Sequence, residues 1–426
     1  MSDSLNTLSA AAIAAGVRAG DFTAEAVTAA CLERIAKREE SVHAFAFLDP
    51  DLALAQARAV DAAEEKGPLA GVPVGAKDII DTHDMPTEMG SPIYRGHRPP
   101  ADASCVAQLR DAGAVMLGKT VTCEFAGLTP RETRNPHDPS RTPGGSSSGS
   151  AAAVADTMLP VAFGTQTGGS VIRPSSYCGI VGYKPSFDTY SLTGVYPAAE
   201  SLDTLGLHAR DVGDIELVHD ALLRRPHRPR PVPPQPPVVG LCRTWMWDKA
   251  QPETREAVED AAARIRDAGG RVQEIELPEE LEWLGGVRGV INAWERAAVM
   301  ADEWRRHREE ISSQLQDTIQ QGLDLSYAEY TDAMYLMESC RIKVTGAFAG
   351  CDVLLTPAVD GEAPEGLDST GSPQFQALWT MLQTPTMTLP SSKGPHGMPV
   401  GIQLVAPYRQ DDRLFSIARW TVGALS

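Results

Sequence analysis

Two glycine-serine turns stand close together in the chain, with a small apolar run between them. The first is Pro143-Gly144-Gly145-Ser146-Ser147-Ser148-Gly149-Ser150, followed by Ala151 to Ala155. The second is Gly164-Thr165-Gln166-Thr167-Gly168-Gly169-Ser170. Glycine lets a backbone turn sharply and come close to a ligand. A serine hydroxyl attacks or relays a proton when a base is near. The candidate base is Lys77, at the end of Gly71-Val72-Pro73-Val74-Gly75-Ala76-Lys77-Asp78. On its own, a lysine there reads as a surface residue paired with Asp78 or Asp81. The weakly polar run before it would instead bury its stem. To act as a base near neutral pH, its ordinary pKa of about 10.4 must fall to about 7. Desolvation is able to do this.

Other readings of the turns fit less well. A phosphate-binding loop needs Gly-Lys-Ser/Thr, and Gly149 is followed by Ser150 and Ala151. A flexible Gly/Ser linker would not run at once into a packed alanine segment. Gly145-Ser146-Ser147-Ser148-Gly149 matches the nucleophile-elbow pattern, with Ser147, Asp352 or Asp360, and His396 in the matching chain order. An elbow follows a buried strand, however, and Asn135 to Thr142 reads as loop. The seven cysteines are scattered and never form C-x-x-C, which argues against zinc or a disulfide framework and suits a reducing cytoplasm. Cys123 and Cys178 are poor candidates for the nucleophile.

The elements that must hold these residues follow from periodicity. Residues 1–66 read as a helical segment packed on the core. Leu8, Ala11, Ala12 and Ala15 recur at helical spacing, Thr23 is an N-cap, and Val27, Cys31 and Ile35 form a stripe. These helices either cover an edge or form a contact between subunits, which leaves a homodimer open. In 67–223, strands and helices alternate. Val72, Val74 and Ala76 deliver Lys77 to a strand end, and Ala114 to Gly118 is a buried strand. Residues 224–237 are proline-rich and read as an exposed, extended connector. Residues 238–426 read as a second part of the same α/β domain, with a helical insertion at about 280–350 that borders a pocket. The fold class is therefore α/β, a mixed central sheet covered by helices on both faces.

The formal charge of −18 over 426 residues argues against nucleic acid or an anionic membrane as partner. No apolar run reaches the length of a membrane span, and Met1-Ser2-Asp3-Ser4 does not open a leader pattern.

Taken together, Lys77, the block Gly144 to Ser150 and the block Gly164 to Ser170 resemble the amidase signature family. The likeness extends through Pro185, Ser201-Leu202-Asp203-Thr204, Arg210, Asp214, Thr356-Pro357 and Gly401-Ile402-Gln403-Leu404, nearly the whole chain. It implies an amide hydrolase acting on a small-molecule amide, with no metal or organic cofactor. By position, Ser170 matches the acyl-accepting nucleophile. Ser146, after a cis Gly145–Ser146 peptide, matches the bridging serine, and Lys77 the buried base. The N–H groups of Thr167, Gly168, Gly169 and Ser170 match the oxyanion hole. Two departures stand out. Gln166 replaces a common aspartate, and Arg173 is shifted by one position in Val171-Ile172-Arg173-Pro174, so neither is given a role.

Three alternatives remain: an ester or carbamate hydrolase on the same triad, a glutamine-hydrolysing subunit of a tRNA-dependent amidotransferase, and a non-catalytic binding protein. The pocket walls are expected from Cys123-Glu124-Phe125, the 280–350 helices and a loop from Gln374 to Pro385. Phe375, Trp379 and Met381 suggest an apolar acyl group.

Overall fold

The computed structural model describes residues 4–426; Met1–Asp3, where the reading for a leader begins, lie outside the described residues. A single sheet of eleven strands takes in both halves of the chain. The strands are β1 (Phe45–Leu48), β2 (Pro73–Lys77), β3 (Val115–Thr120), β4 (Val161–Gln166), β5 (Val181–Lys184), β6 (Thr204–Ala209), β7 (Val238–Leu241), β8 (Arg271–Glu274), β9 (Val353–Pro357), β10 (Thr386–Lys393) and β11 (Pro399–Val405). Their order is β1-β3-β2-β4-β6-β5-β10-β11-β9-β7-β8. The sheet is mixed: β2 lies parallel to β3 and β4, whereas β4 and β6 are antiparallel. Helices cover both faces, as the alternation of strand and helix implies.

β2, β3 and β4 are buried along their whole length, so they read as continuous apolar runs rather than alternating ones. Parallel β2 and β4 end on the same edge of the sheet, where the loops of such folds form ligand crevices. β2 delivers Lys77 to that edge. β4 ends at Gln166, and the chain turns through residues 167–171 into the helix Ile172–Cys178. Between them lies the helix Ser148–Ala155, built from small residues and buried from Ser148 through Val154. Having no polar stripe, it fits only inside the molecule. Gly149 is required there: a Cβ would stand 2.2 Å from Ala44 O and 2.4 Å from Val121 N.

The N-terminal helices form largely where the periodicity puts them. Ala24–Val42 is capped by Thr23, whose side chain accepts from Ala26 N, and Val27, Cys31 and Ile35 are buried. The helical reading of the segment up to residue 66 nevertheless misses β1, a four-residue edge strand held by antiparallel pairing with β3. The expected loop at Gln374 to Pro385 also needs correcting. Gln374–Met381 is a buried helix, and β10 follows it. The insertion is helical: Leu284–Val299, Ala301–Arg306, Ser313–Asp324 and Tyr327–Lys343 account for most of it. Residues 224–237 form no helix or strand, but they are not uniformly exposed. Arg230 is 9% exposed and donates through Nη1 and Nη2 to the buried carboxylate of Asp220.

Candidate active site

Lys77 is fully buried at the end of β2. Its Nζ lies 2.8 Å from Ser146 Oγ and 2.8 Å from Thr165 Oγ1. Burial pulls its pKa down to about 7; Cys123 and Asp203 oppose the fall and Arg296 adds to it. The surface pairing with Asp78 does not occur, because Asp78 sits 3.3 Å from the buried Lys119. A neutral amine has two N–H bonds and one lone pair. The protonated amine donates to both oxygens, whereas the neutral amine can keep one N–H on Thr165 and face Ser146 with its lone pair. Thr165 was missed in the sequence, since its part depends on β4 lying beside β2 in register.

The Gly145–Ser146 peptide is cis. Gly145 O accepts from Arg173 Nη2 at 2.6 Å, and Ser146 O accepts from Cys123 N at 3.1 Å. Both partners hold the loop that presents Ser146. Ser170 is half-buried and lines a cavity of about 90 Å³ together with Thr167, Gly168 and Gly169. Among the described residues, the N–H groups of Gly168, Gly169 and Ser170 have no acceptor in the protein. Adjacent free donors at a cavity wall are chemically able to stabilise an oxyanion. A Cβ on Gly169 would lie 2.2 Å from Gln376 Oε1, so any side chain there would displace the buried Gln376 amide.

Two residues brace this turn. Gln166 Oε1 accepts from Val171 N at 2.9 Å and Ile172 N at 3.1 Å, keeping the acceptor function that an aspartate would supply. The extra Gln166 amide donor is satisfied by Thr380 Oγ1 at 3.1 Å, and Thr380 in turn donates to Gly168 O at 2.9 Å. Asp203 accepts from Thr167 Oγ1 at 2.5 Å and from the N–H groups of Ala198 and Ala199.

The rival constellation does not assemble. Ser147 is buried and its Oγ accepts from Thr165 N at 3.3 Å. Asp352 accepts from Val238 N, Asp360 from Tyr177, and the exposed His396 contacts Glu362. All seven cysteines are free and buried; burial pushes the Cys123 thiol up to about 11 and that of Cys178 higher still. Phe375, Trp379 and Met381 are buried in the protein and do not line the cavity with Ser170. Arg173, Arg288, Asn292 and Arg296 do. The last three recur at intervals of four on the helix Leu284–Val299, which places them on one face. That spacing is visible in the sequence and went unused.

The amidase family model matches residues 26–415, and the chain belongs to that family. Over 478 residues it is 34% identical to a curated relative from Thermobifida fusca (strain YX), covering 98% of this chain and 96% of the relative. That relative is the A-type subunit of a glutamyl-tRNA(Gln) amidotransferase. Among solved structures, one described as an amidase superposes with a TM-score of 0.89 at 30% identity, covering 98% of this chain and all of the other. A 6-aminohexanoate cyclic dimer hydrolase complexed with substrate gives a TM-score of 0.88 at 25% identity, covering 99% of this chain and 97% of the other. The chain is accordingly a hydrolase of carbon–nitrogen bonds. Among the described residues, no helix is long and apolar enough to cross a membrane.

Proposed function

We propose that the protein hydrolyses the amide of a small carboxylic acid through an acyl-enzyme on Ser170. The observation that carries this is the fully buried Lys77 Nζ, 2.8 Å from Ser146 Oγ, with its pKa lowered to about 7. Lys77 draws a proton through Ser146 so that Ser170 attacks the carbonyl, and the N–H groups of the 167–170 turn hold the developing oxyanion. The tetrahedral adduct collapses as the same relay protonates the departing ammonia or amine. Water then releases the carboxylate by the reverse path.

Ser170→Ala is expected to abolish turnover of a panel of primary and aryl amides and to stop labelling by a fluorophosphonate. Ser147→Ala and His396→Ala are expected to keep substantial activity. Wild-type turnover surviving in Ser170→Ala would overturn the reading. A second reading, a glutamine-hydrolysing subunit that supplies ammonia to a partner, is favoured by the near-complete alignment with the Thermobifida fusca relative. A second subunit that co-purifies and accelerates glutamine hydrolysis would support it.

A further inference from the structure

The turn that carries Ser170 rests on two neutral side chains, Gln166 and Thr380, 0% and 2% exposed. Their hydrogen-bond directions are forced one after another. Val171 N and Ile172 N can only donate, at 2.9 and 3.1 Å, so the oxygen of the Gln166 amide must face them. The amide nitrogen then faces Thr380 Oγ1 at 3.1 Å, and it too can only donate. The Thr380 hydroxyl is therefore an acceptor toward Gln166, and its single proton is left for Gly168 O at 2.9 Å. The other carbonyl within its reach, Gln376 O, is farther away at 3.4 Å.

That last bond orients more than a carbonyl. The Gly168–Gly169 peptide is trans, so its C=O and N–H point in opposite directions. Holding Gly168 O toward Thr380 turns Gly169 N–H the other way. Thr380 does not line the cavity, whereas Gly168, Gly169 and Ser170 do. Two glycines in a row leave the peptide plane free to rotate. Among the described residues, no donor but Thr380 reaches Gly168 O, and Gly169 N–H meets no acceptor.

A carboxylate at position 166 would reverse the middle of this chain. It could still accept from Val171 N and Ile172 N, but it has no proton for Thr380. The Thr380 hydroxyl would then donate to the charge, the stronger acceptor, and Gly168 O would lose its donor. The amide at 166 and the hydroxyl at 380 thus work as a pair.

Resting on the acyl-enzyme reading above, we infer that Thr380 is a positioning residue for the oxyanion hole: its hydroxyl, turned in one direction by the Gln166 amide, points Gly169 N–H at the developing oxyanion.

The test measures kcat and KM separately on the best amide of the panel. Thr380→Val keeps the side-chain shape and removes the hydroxyl. Its kcat is expected to fall about 10–100-fold, less than the about 10²–10³ lost when an oxyanion donor is deleted outright. KM should stay unchanged, because the direction of that N–H matters where charge develops, in the transition state. Thr380→Ser returns the hydroxyl and should recover most of the loss. The acid limb set by Lys77 should not move. Gln166→Glu, assayed at about pH 9 to keep its carboxylate ionised, should lower kcat as Thr380→Val does. Adding Thr380→Val to it should cost little more.

Wild-type kcat in Thr380→Val overturns the inference, as does a loss that appears in KM alone or that Thr380→Ser does not recover. A moved acid limb overturns it too, since the damage would then lie at Lys77. So does wild-type kcat in Gln166→Glu, or full additivity of the two substitutions. The Thr380 variants keep the core neutral and decide the matter where Gln166→Glu does not fold. Fluorophosphonate labelling of Ser170 separates the two levels. Labelling with wild-type kcat in Thr380→Val sinks the positioning role alone, whereas a wild-type enzyme that neither labels nor turns over any amide sinks the acyl-enzyme as well.

Discussion

A lysine that must accept a proton works only while it is uncharged, and burial sets when that is. The pKa of Lys77 is lowered to about 7, so the protonated, inactive form dominates below that pH and the neutral base above it. The logarithm of kcat/KM is therefore expected to rise with unit slope up to about pH 7 and then level off. A profile flat from pH 5 to 9 would show that another group is the base. Lys77→Ala should lose about 10²–10⁴-fold, the usual range for a positioned acid–base group. Thr165 gives a finer test. Its Oγ1 accepts a hydrogen bond from Lys77 Nζ at 2.8 Å, which favours the protonated amine. Thr165→Val removes that acceptor, so the acid limb should move to lower pH. The lone pair is then less well aimed at Ser146, so the plateau rate should fall by about tenfold, a fraction of the about 10²–10⁴-fold that a positioned base contributes. A lower plateau with an unmoved limb would make Thr165 merely a packing residue.

At the level of elements, the two serine turns are held in place by a helix that has no solvent face. Gly149 lets Ser148–Ala155 approach Ala44 and Val121 at backbone distance. Gly149→Ala is expected to destabilise the fold by at least about 1–3 kcal/mol, as overpacking does. Urea denaturation followed by circular dichroism would measure the loss. An unchanged midpoint would mean that the helix shifts at no cost. Local signals of this kind explain what was legible in the sequence. Lys77, Ser146 and Ser170 stand in short runs whose composition announces a strand end and tight turns. The N-cap at Thr23 and the stripe Val27, Cys31, Ile35 are equally local. The pieces that went unread depend on neighbours far along the chain. β1 exists because β3 offers an edge, and Gln374–Met381 is helical where a loop was expected. Thr165 meets Lys77 only through the β2–β4 pairing. Arg173 drew no role because its position in the motif is shifted, and its bond to Gly145 O shows only once the two turns meet. Phe375 and Trp379 misled for a related reason: aromatic residues near a site are as readily its support as its wall.

Across the whole molecule, the proline-rich stretch would be a slack tether if composition alone governed it. The sheet argues otherwise, since β10 and β11 from the second half of the chain lie between β5 and β9. A connector between strands of one sheet has little freedom to gain by staying loose. It is pinned by Asp220, which is 1% exposed and accepts from Arg225 Nε at 2.5 Å, His227 Nδ1 at 2.9 Å and both terminal nitrogens of Arg230 at 2.7 Å. Asp412 joins the same arginines but is 57% exposed on its side chain, so screening leaves its pairs little weight. The burial of Asp220 decides which contact matters. Asp220→Ala leaves Arg230, itself 9% exposed, with the exposed Asp412 as its remaining carboxylate, so the loss should fall below the about 3–5 kcal/mol of a fully broken buried pair but well above that of Asp412→Ala. Asp412→Ala should cost no more than about 1 kcal/mol. Denaturant unfolding of both variants, together with the rate of proteolysis within 224–237, would measure the difference. Equal midpoints for the two variants, with no new cleavage in Asp220→Ala, would mean that the connector is held by its proline backbone and not by the charge cluster.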